Sequence, residues 1–208
     1  MVTELNPAGV EPATIYRTLV GTVVPRAIGW ISTVDSDGNE NIAPFSFFGV
    51  ACVDPPMIHF TQGSRDGGQL KDTGNNIYET EEFVHNMVTR DLLESMHHSS
   101  KTFNQNTNEF ERCGIEKRPS KTIKPPQVAA SPVTVECTLH EALELGSHTL
   151  FIGEIQHINI LDSALKNGKL DIDSIDPIGR LTAGRYVSID SQIKLDSVKD
   201  EAFSDGDK

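Results

Sequence analysis

The stretch PRAIGWISTVDSDGNENIAPFSFFGVACVDPP, residues 25–56, decides the fold. It holds two apolar runs, AIGWISTV (27–34) and NIAPFSFFGVACV (41–53), on either side of Asp35-Ser36-Asp37-Gly38-Asn39. Asp, Ser and Asn bond their own backbone and Gly accepts positive φ, so those residues read as a hairpin loop. Asp54-Pro55-Pro56 then breaks the second run. The pattern continues outward through LVGTVV (19–24), MIHFT (57–61), FVHNMV (83–88), VTVECTLHEALEL (133–145) and TLFIGEIQHINIL (149–161). Gly146-Ser147-His148 joins the last two runs. These segments are rich in Val, Ile, Thr and Phe and have the length of strands. Antiparallel hairpins at this spacing predict a mainly β barrel or sandwich.

Helical pattern is confined to the middle of the chain. Asp66 to Thr80 carries Leu70, Thr73 and Ile77 at helical spacing, Thr89 stands as an N-cap before Leu92, Leu93 and Met96, and Glu109 to Gly114 reads as a short helix ended by its glycine. Residues 1–13 read as an entry arm, 14–188 as one domain, and 189–208 as an acidic tail, disordered or docked to a partner. The 208 residues carry 18 Lys+Arg against 30 Asp+Glu, a formal net charge of −12. That sign argues against nucleic acid and anionic membranes as partners, since both reward clustered cations. No run reaches the ~20 apolar residues of a membrane span, and the N-terminus lacks the basic and apolar regions of a secretory signal. Cys52, Cys113 and Cys137 form no CxxC, and Cys52 and Cys137 read as small core residues. A cytoplasmic protein is expected.

Familiar catalytic motifs are missing: there is no GxSxG, Walker loop, GxGxxG or HExxH. LDIDSIDP (170–177) lacks the turn glycine and terminal Glu of a calcium loop, and His97-His98 point about 100° apart on a helix, so no metal site is expected. Two polar clusters remain. One joins Ser32-Thr33 to Ala43-Pro44-Phe45-Ser46, where Pro44 removes a ladder donor and marks a bulge or an edge. It is either an ordinary strand bend or a place where backbone groups face a ligand. The other is TQGSRDGGQLKDT (61–73), in which Ser64, Arg65, Lys71 and Thr73 surround a glycine pair and a helix start. It is either a capped surface helix or an anion site.

At this point three blocks carry a resemblance: residues 25–56, SRDGGQLKDTGNNIYETEEFVHNMV (64–88) and ASPVTVECTLHEALELGSHTLFIGEI (130–155), closed by GRLTAGRY (179–186). Together, in order and spacing, they resemble the flavin reductase-like family of FMN-binding split-barrel proteins. The resemblance implies a Greek-key FMN-binding split barrel with a few flanking short helices, forming a homodimer with FMN at the interface. It implies that Ser32 and Thr33 face the ribityl or phosphate end of the flavin. Asn41, Ala43, Pro44, Phe45 and Ser46 would line the ring, and Thr61, Ser64, Arg65, Lys71 and Thr73 the phosphate. Trp30 and Phe47 either border the ring or belong to the core.

A Gly-Asp-His turn is associated with nicotinamide binding in related reductases. Here it reads Gly146-Ser147-His148, which makes His148 the candidate contact to NAD(P)H. The activity implied is hydride transfer from NAD(P)H to flavin N5, with electrons passed to a second flavin, a monooxygenase partner, oxygen or a metal complex. The alternatives are an FMN-binding electron carrier or flavin storage protein without a nicotinamide site, and a split barrel holding a deazaflavin or haem. Arg112, Lys117, Arg118, Lys121 and Lys124 form a basic loop that is either solvated surface or a contact to the cofactor's phosphates.

Overall fold

The computed structural model describes residues 1–65, 68–103 and 107–195. Its main element is a seven-stranded antiparallel sheet. The strands are β1 (Gly29–Val34), β2 (Glu40–Phe45), β3 (Phe48–Val53), β4 (Pro56–Gly63), β5 (Glu82–Asn86), β6 (Val133–Leu145) and β7 (His148–Ile160). They lie in the order β2-β1-β5-β6-β7-β4-β3. β2 and β3 are therefore the two edges, yet only Ser46 and Phe47 separate them in the chain. A two-residue link cannot cross an open sheet, so the sheet curls until its edges meet. The Thr61 amide donates to the Phe47 carbonyl (2.8 Å) beside that seam. The run 41–53 is thus two strands, broken at Ser46-Phe47.

Two apolar cores follow from this curl. Inside the barrel, Phe60 packs on Phe45, Phe83 and Phe151 with ring centroids 4.7–5.5 Å apart. Each ring removed from water contributes about 1.5–3 kcal/mol. The second core lies between β1–β2 and the helices α3 (Leu93–His98) and α4 (Glu109–Arg112), and holds Trp30, Ile42, Met96 and Phe110. Trp30 is a core residue, its indole N–H donating to Ser99 Oγ at 3.0 Å. β8 (Ile178–Arg180) and β9 (Tyr186–Ser188) form a closing hairpin, which an antiparallel bridge between Arg180 and Arg26 ties to the start of β1.

Four expectations need correction. LVGTVV is not a strand: Leu19 to Thr22 belong to α1 (Pro12–Thr22), which has Pro at its first turn. Helix is therefore not confined to the middle, and α5 (Ile172–Ile175) adds a further turn. The β-branched run is held helical from outside, because Arg26 Nη1 donates to the Val20 and Val23 carbonyls that the helix end leaves unpaired (2.6 and 2.8 Å). Cys52 is only half-buried, since β3 is a sheet edge, whereas Cys137 is fully buried. The middle helix α2 spans Asp72–Thr80, starting after Leu70, and Asp66-Gly67 lie outside the described residues. Residues 189–195 have no regular structure, and 196–208, most of the expected tail, also lie outside the described residues.

Candidate functional site

Two adjoining cavities share Pro44, Phe45 and Ser100 in their walls. The smaller, about 550 Å³, gathers Asn41, Ala43, Pro44, Phe45, Ser64, Arg65, Lys71 and Thr73. These residues come from the β2 edge, the end of β4 and the start of α2. Because β2 pairs only with β1, alternate backbone groups along it have no ladder partner, and Pro44 fits at such an edge. At the start of α2 the Gly74 and Asn75 amides bond back to the Lys71 carbonyl. The preceding amides of Asp72 and Thr73 have no intrahelical acceptor and are available to an anion.

Other walls of this cavity were not foreseen. Ser99, Ser100, Lys101 and Thr102 follow α3 and bring a second lysine and three hydroxyls to the same cavity, the Ser99 and Ser100 hydroxyls already donating to the Met96 and His97 carbonyls. The run His-His-Ser-Ser-Lys-Thr (97–102) carries that signal in its composition, but only the packing of α3 brings it to the cavity. Arg65 is less free than its type suggests, being paired with Asp72 at 3.0 Å. Two lysines, helix-start amides and several hydroxyls make a donor set that fits a phosphate monoester.

Ser32 and Thr33 line neither cavity. Ser32 is buried and donates to the Pro126 carbonyl (2.6 Å), while Asn86 Nδ2 donates to its oxygen at 3.2 Å. Thr33 Oγ1 accepts from Asn41 and Asn76 (3.3 and 3.0 Å), and Asn41 also donates to Thr73 Oγ1 (2.9 Å). Thr33 thus holds the floor on which Asn41 and Thr73 stand. Thr61, expected at the phosphate, also lines neither cavity: it is half-buried, and its amide donates to the Phe47 carbonyl at the seam. His148, at the start of β7, stacks on Phe47 with ring centroids 6.0 Å apart, and its Nδ1 lies 2.9 Å from Ser147 Oγ. The same turn reaches the smaller cavity through the Ser64 amide, which donates to the Ser147 carbonyl (3.0 Å). None of the loop cations 112–124 lines either cavity, and Lys117 pairs with Glu40.

Glu109 lines the smaller cavity and is 7% exposed, with Oε2 lacking a hydrogen-bond partner among the described residues. Burial pushes its carboxyl up to about 7 and the Asp72 charge adds to this, while the Glu109 and Ile42 amides oppose it. A carboxyl raised from 4.5 to about 7 in the folded state contributes stability that is full below pH 4.5 and is lost as pH rises through 7. The loss amounts to about 3 kcal/mol at most. Glu109→Gln should remove this slope. In urea titrations from pH 4.5 to 8 the variant's advantage over the native chain should grow with pH, and a constant difference would refute the assignment.

The larger cavity, about 710 Å³, lies under α1. Its walls include Tyr16 and Arg17 from α1, Arg26, Ser46 at the seam, Met96, and Arg180 to Ala183 and Tyr186 of the closing hairpin. Arg26 Nε donates to Ser46 Oγ (3.3 Å) and Nη2 to the Leu181 carbonyl (2.9 Å), so one buried guanidinium joins the end of α1, the seam and the hairpin.

Comparison with known proteins gives a consistent result. A sequence model described as "Flavin reductase like domain" matches residues 20–175. Nitrilotriacetate monooxygenase component B from Bacillus cereus superposes with a TM-score of 0.90 at 25% identity, covering 94% of this chain and 99% of that one. The 2-nitrobenzoate 2-nitroreductase of Pseudomonas fluorescens gives 0.86 at 28% identity, covering 98% and 100%. A protein of Shewanella frigidimarina described as having a split barrel domain gives 0.80 at 23% identity, covering 92% and 96%. The curled seven-stranded sheet is therefore a split barrel.

Proposed function

The chain belongs to the flavin reductase-like family, and on its site geometry we propose that it is an oxidoreductase that binds FMN and reduces it with NAD(P)H. The observation that carries this reading is the smaller cavity, where a phosphate-type donor set adjoins an edge strand with free backbone groups. Lys71, Lys101 and the α2 amides hold the phosphate, and the backbone of Ala43 to Ser46 holds the ring end where the two cavities meet. When bound, the flavin supplies the hydride and electron chemistry. The chain's own groups bind, orient and exclude water.

His148 is oriented for a nicotinamide by Ser147, whose hydroxyl holds Nδ1 where the related turn has a carboxylate. The electrons go to a second acceptor, and the likeness to a monooxygenase component supports a partner monooxygenase in that role. The β3 edge leaves Val50 and Val53 73% and 83% exposed, which supports a homodimer that covers it, with FMN at the interface.

The test is the visible spectrum of the protein with FMN, followed by steady-state oxidation of NADH and NADPH. Saturable FMN binding with turnover supports the reading. A fully loaded flavin without turnover leaves an FMN-binding electron carrier instead. Lys71→Ala should weaken FMN binding by about 1.5–3 kcal/mol, read by fluorescence quenching. Unchanged affinity would remove Lys71 from the site.

A further inference from the structure

Arg17, Arg26 and Arg180 line the larger cavity, and no Asp or Glu among the described residues lines it, although the whole chain carries a net charge of −12. Among the described residues none of the three has an ion-pair partner. Arg26 is 8% exposed, and its partners are the Val20, Val23 and Leu181 carbonyls and the Ser46 hydroxyl. Those groups solvate the cation without neutralising it. Arg180 lies over the Tyr186 ring, its Cζ 4.6 Å from the centroid, again a neutral partner. Burial, and then the Arg180 charge, push the Arg26 guanidinium below its ordinary value. Arg26 and Arg180 thus stand in one cavity wall with neutral partners, and an anion in the cavity would supply the missing countercharge.

The rest of the wall is apolar, with Val20, Ile28, Phe45 and Met96. Arg26 has given four of its five N–H groups to protein acceptors and adds only charge, so the planar guanidinium forks of Arg180 and Arg17 are the ones that match a carboxylate, and the apolar wall matches a ring-sized body. We infer that the larger cavity binds an organic carboxylate with an apolar body, separate from the phosphate cavity and adjoining it at Pro44 and Phe45. Its meaning as the seat of the second reactant rests on the flavin reading above; its binding chemistry does not. A phosphate of a nicotinamide cofactor is the other source of negative charge that such a site could take.

The experiment is calorimetric titration of the full chain with benzoate, benzamide, inorganic phosphate and 2′,5′-ADP, with FMN affinity measured separately. Benzoate should bind saturably, and the uncharged benzamide should not. Arg180→Met should weaken benzoate binding at least tenfold, leave FMN affinity unchanged, and not lower the melting temperature, because it relieves the repulsion with Arg26. Arg17→Met at the rim should act in the same direction, and it serves as the test if Arg180→Met does not fold. Binding of 2′,5′-ADP or phosphate without benzoate would overturn the proposal and assign the arginines to the electron donor. Benzoate binding that ignores both substitutions would also overturn it. Benzoate binding without FMN binding would leave this site standing and remove the flavin reading, while FMN binding without benzoate binding would do the reverse.

Discussion

Glu136→Ala is expected to destabilise the chain by about 3–5 kcal/mol, because it strips a buried carboxylate from donors arranged around it. Glu136 is fully buried on β6. Its Oε1 accepts from the Lys121 amide, Gln127 Nε2 and Asn159 Nδ2 at 2.6–3.1 Å, and its Oε2 accepts from the Thr122 amide and hydroxyl at 2.7 and 2.6 Å. Burial alone would push this carboxyl up, but the donors outweigh it and hold it below the ordinary carboxylate value. Its contribution is therefore present above the unfolded pKa and is lost as the solution is acidified. Removing it leaves buried N–H groups without acceptors and releases the basic loop from the barrel wall. Glu136→Gln keeps the shape and one acceptor and should cost roughly half as much. Urea denaturation at pH 7 measures both. A loss below about 1 kcal/mol for the alanine variant would show that the loop is held by other contacts. FMN affinity of the folded variant should be unchanged, since Glu136 lines neither cavity.

The same loop shows how far the sequence could be read. The hairpin at 35–39 was legible because its cause is local: Asp35 Oδ1 accepts from the amides of Asp37 and Asn39 at 3.0 and 2.7 Å. Strand identity was legible for the same reason, from composition within each run. The fate of Ser32 was not, because its partner is the carbonyl of Pro126, 94 residues away. LVGTVV misleads for a nearer reason: its own residues favour a strand, and the Arg26 guanidinium, three to six residues further along, bonds the carbonyls at the helix end.

The phosphate cluster occupies an intermediate position. Ser64, Arg65, Lys71 and Thr73 stand close together in the chain and do meet at one cavity, but the opposite wall, Ser99 to Thr102, is supplied by packing. Arg26 was readable as a cation, whereas the emptiness of acid around it is a property of three separate elements. Charge neutralisation at a site is a tertiary fact, and a net charge of −12 gives no hint of a cavity whose charged walls, among the described residues, are arginines.

Gly153→Ala is expected to cost about 3 kcal/mol, more than a glycine-to-alanine change in a strand would suggest from propensity. Propensity alone favours the substitution, because glycine in a strand interior loses the most conformational freedom on folding. Geometry opposes it. A Cβ at Gly153 on β7 would stand 2.2 Å from Phe83 Cζ and 3.0 Å from Cys137 Cβ. Phe83 is fully buried on β5 and packs on Phe60, so its ring has no free space to swing into. Gly153 pairs with Ile58 on one side and Leu139 on the other, so β7 cannot back away without breaking two ladders. The cost should therefore belong to the Gly153–Phe83 pair rather than to the backbone. Phe83→Leu alone loses ring packing and should cost about 1–2 kcal/mol. In the Gly153→Ala background the smaller side chain should recover at least about 1 kcal/mol of the alanine's cost, a coupling of the kind contacting residues show. Thermal melts of the two single variants and the double variant measure it. Strict additivity would mean that the strain lies in β7 itself, and that the ring over Gly153 is a bystander.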